Sequence, residues 1–181
     1  TKLQAHRGVS SEFPENTMSA FVASVEQGYD FIEFDPKYTK DGEIVILHDR
    51  TVNRTGRRAD GSKIEEPTEI FDLTLEEARA LEYGSWFSPE FAGEQLPLLS
   101  DLLEYAKKTK IPLKVDNVWE SFPDEIKEKM FSQIATYGES INIKQDSASP
   151  SHASEGWSIL CLVRSCNYEN CYRRRVRAQG I

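Results

Sequence analysis

His6 in A-H-R-G, Glu33 and Asp35 in F-I-E-F-D, His48 in I-L-H-D and Asp116 in L-K-V-D-N are the residues of this chain whose types and spacing could do chemistry. Clustered anionic oxygens suit a hard divalent ion, and a pair of imidazoles can take up a proton at one point of a reaction and return it at another. A negatively charged phosphate would need that ion together with an arginine, and Arg7 stands beside His6. Together these groups point to metal-assisted cleavage of a phosphodiester, with a proton donor for the departing alkoxide.

The elements that must position them follow from periodicity. Glu33 and Asp35 sit two apart in Y-D-F-I-E-F-D, so on a strand both point to one face and Phe34 to the other. Two like charges held that close are unfavourable unless a cation joins them or a proton neutralises one. The next apolar run, G-E-I-V-I-L-H-D, ends in His48 and Asp49, and the first, K-L-Q-A-H-R-G, ends in His6 and Arg7. Polar residues at the carboxyl ends of successive apolar strands are what the active face of a parallel barrel requires. The patterns predict strands at residues 2–5, 30–35, 43–48, 111–117 and 140–144 and helices at 16–28, 74–81, 99–109 and 123–137. Met18, Phe21, Val22 and Val25 read as the buried stripe of the first helix, with Glu15 and Asn16 as its caps. Thr74 and Glu77 form a capping box for the second helix, and Ser100 and Asp101 cap the third. The fourth opens at Pro123 and buries Ile126, Met130, Ile134 and Tyr137. Residues 50–72, polar and carrying Gly56, Gly61 and Pro67, read as a long connection over the active face.

The runs H-R-G (6–8), P-E-N-T (14–17), E-F-D (33–35), T-K-D-G (39–42), L-H-D (47–49) and N-R-T (53–55) together resemble the glycerophosphodiester phosphodiesterase family. Y-G-S-W-F (83–87), L-P-L-L-S-D-L-L-E (96–104) and P-L-K-V-D (112–116) resemble it too, and the resemblance ends near residue 143. It implies an α/β fold, a TIM-type (β/α)8 barrel, that hydrolyses glycerophosphodiesters to sn-glycerol 3-phosphate and an alcohol. It also implies one divalent cation, Ca2+ or Mg2+. Carried over position by position, His6 and His48 match the family's acid/base pair, Arg7 its phosphate-binding arginine, and Glu33, Asp35 and Asp116 its metal carboxylates. Two positions depart from the pattern. Asp116 stands where glutamate is common, and Val118 stands where the family has a lysine, a missing cation that Lys114 or another residue would have to replace. Gly8 is expected to let the backbone approach the ligand. Arg54, Arg57 and Arg58 read as a solvated charge cluster rather than as ligands.

A barrel of this type needs about 250 residues. The chain has 181, so the expectation is a barrel truncated to its N-terminal half, with an unpaired edge strand open to self-association. Residues 1–143 read as the partial barrel and 144–181 as an unmatched serine-rich and basic tail. That tail has six Lys/Arg against three Asp/Glu, net +3, which leaves −11 of the chain's −8 on the first 143 residues and argues against nucleic-acid binding by the barrel. Cys161, Cys166 and Cys171 all lie in the tail, at a spacing that fits neither a zinc knuckle nor a disulfide framework. A shifted frame, an alternative splice end or a truncated variant accounts for it better than a designed function, with R-R-R-V-R as the feature favouring phosphate or anionic-membrane contact. No apolar run reaches the ~18 residues of a membrane span and no secretory signal is visible, which leaves the compartment open. Two competing readings are a related barrel acting on lysophospholipids or sphingomyelin and a catalytically silent decoy.

Overall fold

The computed structural model of the chain describes residues 2–137 and 143–145. In chain order the elements are β1 (Gln4–His6), α1 (Met18–Glu26), β2 (Phe31–Phe34), β3 (Pro36–Tyr38) and β4 (Ile44–Ile46). They continue with α2 (Leu75–Arg79), α3 (Leu99–Thr109), β5 (Leu113–Val115), α4 (Asp124–Tyr137) and β6 (Ile143–Gln145), with single 3-10 turns at Ile70–Asp72, Pro89–Phe91 and Asn117–Ser121. Four strands pair in parallel in the order β1-β2-β5-β6. A helix precedes each strand after the first, with α1, α3 and α4 leading into β2, β5 and β6. This is the repeating unit of the expected barrel, four strands of an eight-stranded closure.

Register divides the two faces of the sheet. Ala5, Ile32 and Leu113 lie level across β1, β2 and β5. With Phe34 and Val115 they pack against Phe21 of α1, Leu102 and Leu103 of α3 and Met130 of α4 in one core. Each large apolar side chain buried there contributes about 1.5–3 kcal/mol. One residue further along, His6, Glu33 and Lys114 lie level on the alternate positions. The polar set is therefore placed by the same pairing that builds the core.

The helices depart from expectation in detail. The α1 cap is Thr17, whose Oγ1 accepts from the Ala20 N–H, and Glu15 and Asn16 are engaged elsewhere. Phe21 is fully buried, but its buried companions are Ala20, Ala23 and Ser24, with Met18 and Val25 half-buried against the core. Small residues face inward because the H-R-G loop lies tight on this helix. A Cβ on Gly8 would stand 2.6 Å from Cβ of Ala20, and Gly8 has φ +78°. Gly8 thus serves loop-to-helix packing.

The predicted capping box of α2 is present, with the Thr74 hydroxyl accepting from Glu77 N–H and the Glu77 carboxylate accepting from Thr74 N–H. In α3 Ser100 is inside the helix. The Asp101 carboxylate accepts the N–H of Leu98, the residue before the first turn, and also pairs with Arg79. Met130 of α4 is fully buried, with Ile126 and Ile134 packed beside it, and the side chain of Tyr137 lies outside the described residues.

The larger correction concerns residues 35–98. The strand expected over 30–35 stops at Phe34, and the chain turns at Asp35 into β3, which pairs antiparallel with β4 as a separate two-stranded sheet. The run ending in His48 is therefore no strand of the barrel. Residues 50–72 are also more than a polar cover, since Val52 and Ile70 are fully buried in a second core with Val45, Leu47, Ala78, Tyr83 and Leu96. Short bridges at Thr51 to Glu69 and Arg57 to Glu82 hold this layer together. Polar composition hid two anchor residues that were enough to fix it. The cysteine-containing tail beyond residue 145 lies outside the described residues.

Candidate active site

Glu33, Asp35 and Asp116 converge. One carboxylate oxygen from each lies within 4.8 Å of the other two, on side chains that are buried or half-buried. Glu33 comes from the end of β2, Asp35 from the turn into β3, and Asp116 from just past β5, where its N–H donates to the Phe34 carbonyl. Two oxygens that share a hard cation at 2.3–2.6 Å are at most about 5 Å apart, so the spacing fits one ion. The electrostatics fit as well. Burial, and then the adjacent Asp35 charge, push the Glu33 carboxyl from 4.5 up to about 8. A cation in the cluster would remove that conflict.

Arg7 closes one side. Its backbone is left-handed at φ 57°, a conformation sparsely used by non-glycine residues and found where a site over-determines the chain. In return its N–H donates to Glu33 Oε2 at 2.9 Å. The guanidinium lies with Nη1 3.2 Å from Glu15 and Nε 3.4 Å from Asp35, yet Nε is buried without a hydrogen-bond partner in the protein. Asn16, also left-handed, donates from Nδ2 to Asp35 Oδ2 at 2.9 Å, and its Oδ1 is likewise buried without a partner. Buried polar atoms are rarely left so, and at this place they mark the two sides on which a ligand could be held.

The imidazoles flank the cluster. His6 Nε2 is 3.8 Å from Glu33, and burial followed by the Arg7 charge lowers its pKa from 6.5. His48 reaches the site through the hairpin, because Leu47 N–H donates to the Asp35 carbonyl at 2.9 Å. It is near enough for its charge to act on His6. Its Nδ1 lies 2.6 Å from Asp49 Oδ1. Burial acts to raise the Asp49 carboxyl, but hydrogen bonds from Arg54 and His48 outweigh it and hold it at about 2. An ionised Asp49 accepts from Nδ1–H, which leaves Nε2 of a neutral ring as the free lone pair.

All six residues singled out from the sequence meet here. Others were not singled out as site residues. Lys37 is 4% exposed, and its ammonium has one marginal acceptor at 3.5 Å, the Pro36 carbonyl. Burial pulls it below its ordinary range while the charges of Asp35, Asp116 and Asp49 oppose that. With Lys114 level with Glu33, Lys37 brings cationic charge that the Val118 position lacks. Glu15, Asp49 and Arg54 form a bridged set, which corrects the reading of Arg54 as merely solvated, and Arg57 and Arg58 donate to loop carbonyls. Their signal in the sequence was membership in the P-E-N-T, L-H-D and N-R-T runs. A groove of about 450 Å³ between Met18, Arg79, Phe91, Gln95 and Asp101 shares no residue with the cluster.

Parallel strands whose carboxyl ends gather acidic, basic and imidazole side chains define a barrel-type α/β protein with a polar site at that face. Residues 6–166 match the profile of the "Glycerophosphoryl diester phosphodiesterase family", and the chain belongs to that family. It is 38% identical over 138 residues to YhdW of Bacillus subtilis, covering 76% of this chain and 53% of that protein. It is 37% identical over 139 residues to a glycerophosphodiester phosphodiesterase of Caldanaerobacter subterraneus, covering 76% and 54%. Among solved structures it resembles an Oleispira antarctica phosphodiesterase in complex with sn-glycerol-3-phosphate, at TM-score 0.66 and 23% identity over 81% of this chain and 57% of that one. The chain thus spans about half the length of the curated relatives it matches.

Proposed function

We propose that this site serves metal-dependent hydrolysis of a glycerophosphodiester to sn-glycerol 3-phosphate and an alcohol. The observation that carries the reading is the meeting of three carboxylates within 4.8 Å, with Arg7 and both imidazoles around them. Glu33, Asp35 and Asp116 would hold Ca2+ or Mg2+, since an all-oxygen donor set favours a hard cation. When bound, such an ion supplies Lewis acidity toward a phosphoryl oxygen and lowers the pKa of an attacking hydroxyl.

The chain's own groups do the rest. Arg7, whose Nε lacks a hydrogen-bond partner in the protein, would bind the phosphate and offset charge that builds on the non-bridging oxygens. Lys37 and Lys114 keep the acidic cluster from repelling an anionic substrate. One imidazole takes the proton of the attacking hydroxyl and the other returns a proton to the leaving oxygen, each contributing on the order of 10²–10⁴-fold. Asp49 stabilises the imidazolium of His48 in whichever direction its proton moves.

The same reading divides the chain into a barrel part and a tail, with the boundary past β6 and not at residue 143. β1 and β6, the edges of the described sheet, support self-association through an edge, which gel filtration tests. Hydrolysis of glycerophosphocholine with added Ca2+ or Mg2+, compared with EDTA and with His48→Ala, tests the activity. Turnover that needs the cation and is lost in the variant supports it. A folded chain that binds neither cation nor sn-glycerol 3-phosphate refutes it.

A further inference from the structure

We propose that Arg54 is a positioning residue that locks the Arg7 guanidinium and the His48 ring into one arrangement through two shared carboxylates, Glu15 and Asp49. This deepens the catalytic reading of His48 and Arg7 and rests on it. Arg54 turns one edge of its fork to Asp49, with Nε 2.6 Å from Oδ2 and Nη2 3.1 Å from Oδ1. The other edge meets Glu15, with Nη2 2.6 Å from Oε1 and Nη1 3.1 Å from Oε2. Each carboxylate then passes the constraint on. Asp49 Oδ1 is also the atom 2.6 Å from His48 Nδ1, and Glu15 Oε1 is also the atom 3.2 Å from Arg7 Nη1.

Both oxygens of both carboxylates are thereby engaged, so neither can rotate without breaking a bond to Arg54. A planar guanidinium can span two carboxylates in this way, and an ammonium cannot. The Trp86 ring, 5.7 Å from the guanidinium, covers the cation from one side. Arg54 is 42% exposed, and ion pairs at such exposure contribute little to stability. Orientation of the two site residues is what four directed bonds secure here. Free of Arg54, Asp49 could turn from His48 and leave the ring to choose its own tautomer and angle.

The test is the His48 ring tautomer in the full 181-residue chain, read by long-range proton–nitrogen correlation at a pH where the ring is neutral. The sequence has three histidines, His6, His48 and His152, so His48→Gln assigns the signal. Wild type is expected in the Nδ1–H form, with an Arg54 Nε–H resonance protected from solvent exchange. Arg54→Ala is expected to shift His48 mainly to the Nε2–H form that a free side chain prefers, and Arg54→Lys to recover only part of the original population. A folded Arg54→Ala chain with the wild-type tautomer overturns the proposal. Should that variant not fold, the wild-type chain still decides, because an Nε2–H ring on His48 or a freely exchanging Arg54 Nε–H overturns it alone. Turnover is not read, so failure here stands apart from failure of the hydrolytic reading.

Discussion

The backbone N–H of Arg7 donates to Oε2 of Glu33 across 2.9 Å, which ties the H-R-G loop directly to a carboxylate of the acidic cluster. Glu33 is also level with His6 on one side and Lys114 on the other. Whatever changes the charge on Glu33 is therefore felt by the loop, by the sheet and by the other two carboxylates.

A divalent cation should stabilise the chain. At a concentration about 100 times its Kd, a ligand that binds only the folded state adds about 2.7 kcal/mol, which for a chain of this size raises the thermal midpoint by roughly 5–10 °C. Calorimetry with Ca2+, Mg2+ and EDTA reads it. Asp35→Asn should abolish the response, and an undiminished shift in that variant would remove the assigned ligand set.

Without a cation, stability should fall as pH rises from about 4.5 to about 8. The Glu33 carboxyl is raised from 4.5 to about 8, so in that window the folded chain binds more protons than the unfolded one. Stability then decreases with pH, and the contribution present below 4.5 is lost as pH passes about 8. Urea midpoints across this range should slope downward for wild type and flatten for Glu33→Gln. An equal slope in both would show that Glu33 is not the titrating group.

Lys37→Met should move two affinities in opposite directions. Loss of the buried ammonium beside Asp35 and Asp116 strengthens the field that attracts a cation and weakens the one that attracts a phosphate. Calorimetric titration should show tighter Ca2+ or Mg2+ binding and, with the cation saturating, sn-glycerol 3-phosphate weakened by on the order of tenfold. Affinities that both weaken would point to a structural role for Lys37.

Gly84→Ala should damage the second core. A Cβ at this position would lie 1.8 Å from the Phe91 carbonyl oxygen, a backbone atom that cannot swing away. The loop it sits in is also pinned, because the Glu82 carboxylate accepts the N–H groups of Gly84, Ser85 and Gly93. Overpacking of this kind costs about 1–3 kcal/mol or more, which a denaturant midpoint would register as a clear loss. An unchanged midpoint would mean that the 83–93 loop carries no part of the fold's stability.

What the sequence revealed of this molecule divides by range along the chain. The parallel strands, the four helices and the Thr74–Glu77 box are written in periods and caps that involve neighbours two to four residues apart, and they appear close to where expected. The six site residues were legible because each closes an apolar run or lies next to one that does. Glu15 was misread, since its part is set by Arg54, 39 residues away, while locally it looks like a helix cap. Lys37 was missed because a lysine in D-P-K-Y, just past the end of an apolar run, ordinarily points to water, and only the tertiary packing around it makes its position interior. The separate sheet that starts after Asp35 was hidden because P-K-Y is too short to show a strand period of its own and is a strand only through its pairing with Ile44–Ile46.

The β3/β4 ladder has only three residue pairs, from Pro36 with Ile46 to Tyr38 with Ile44, and it holds Asp35 and His48 at the open end of its two legs. The ladder works as a caliper. A slip of two residues would preserve which side chains face inward and still carry the imidazole about 7 Å from the aspartate. Geometry of the candidate site at this corner is thus a matter of strand register, and a variant that leaves every charged residue in place could still pull Asp35 and His48 apart by lengthening the Thr39–Gly42 turn.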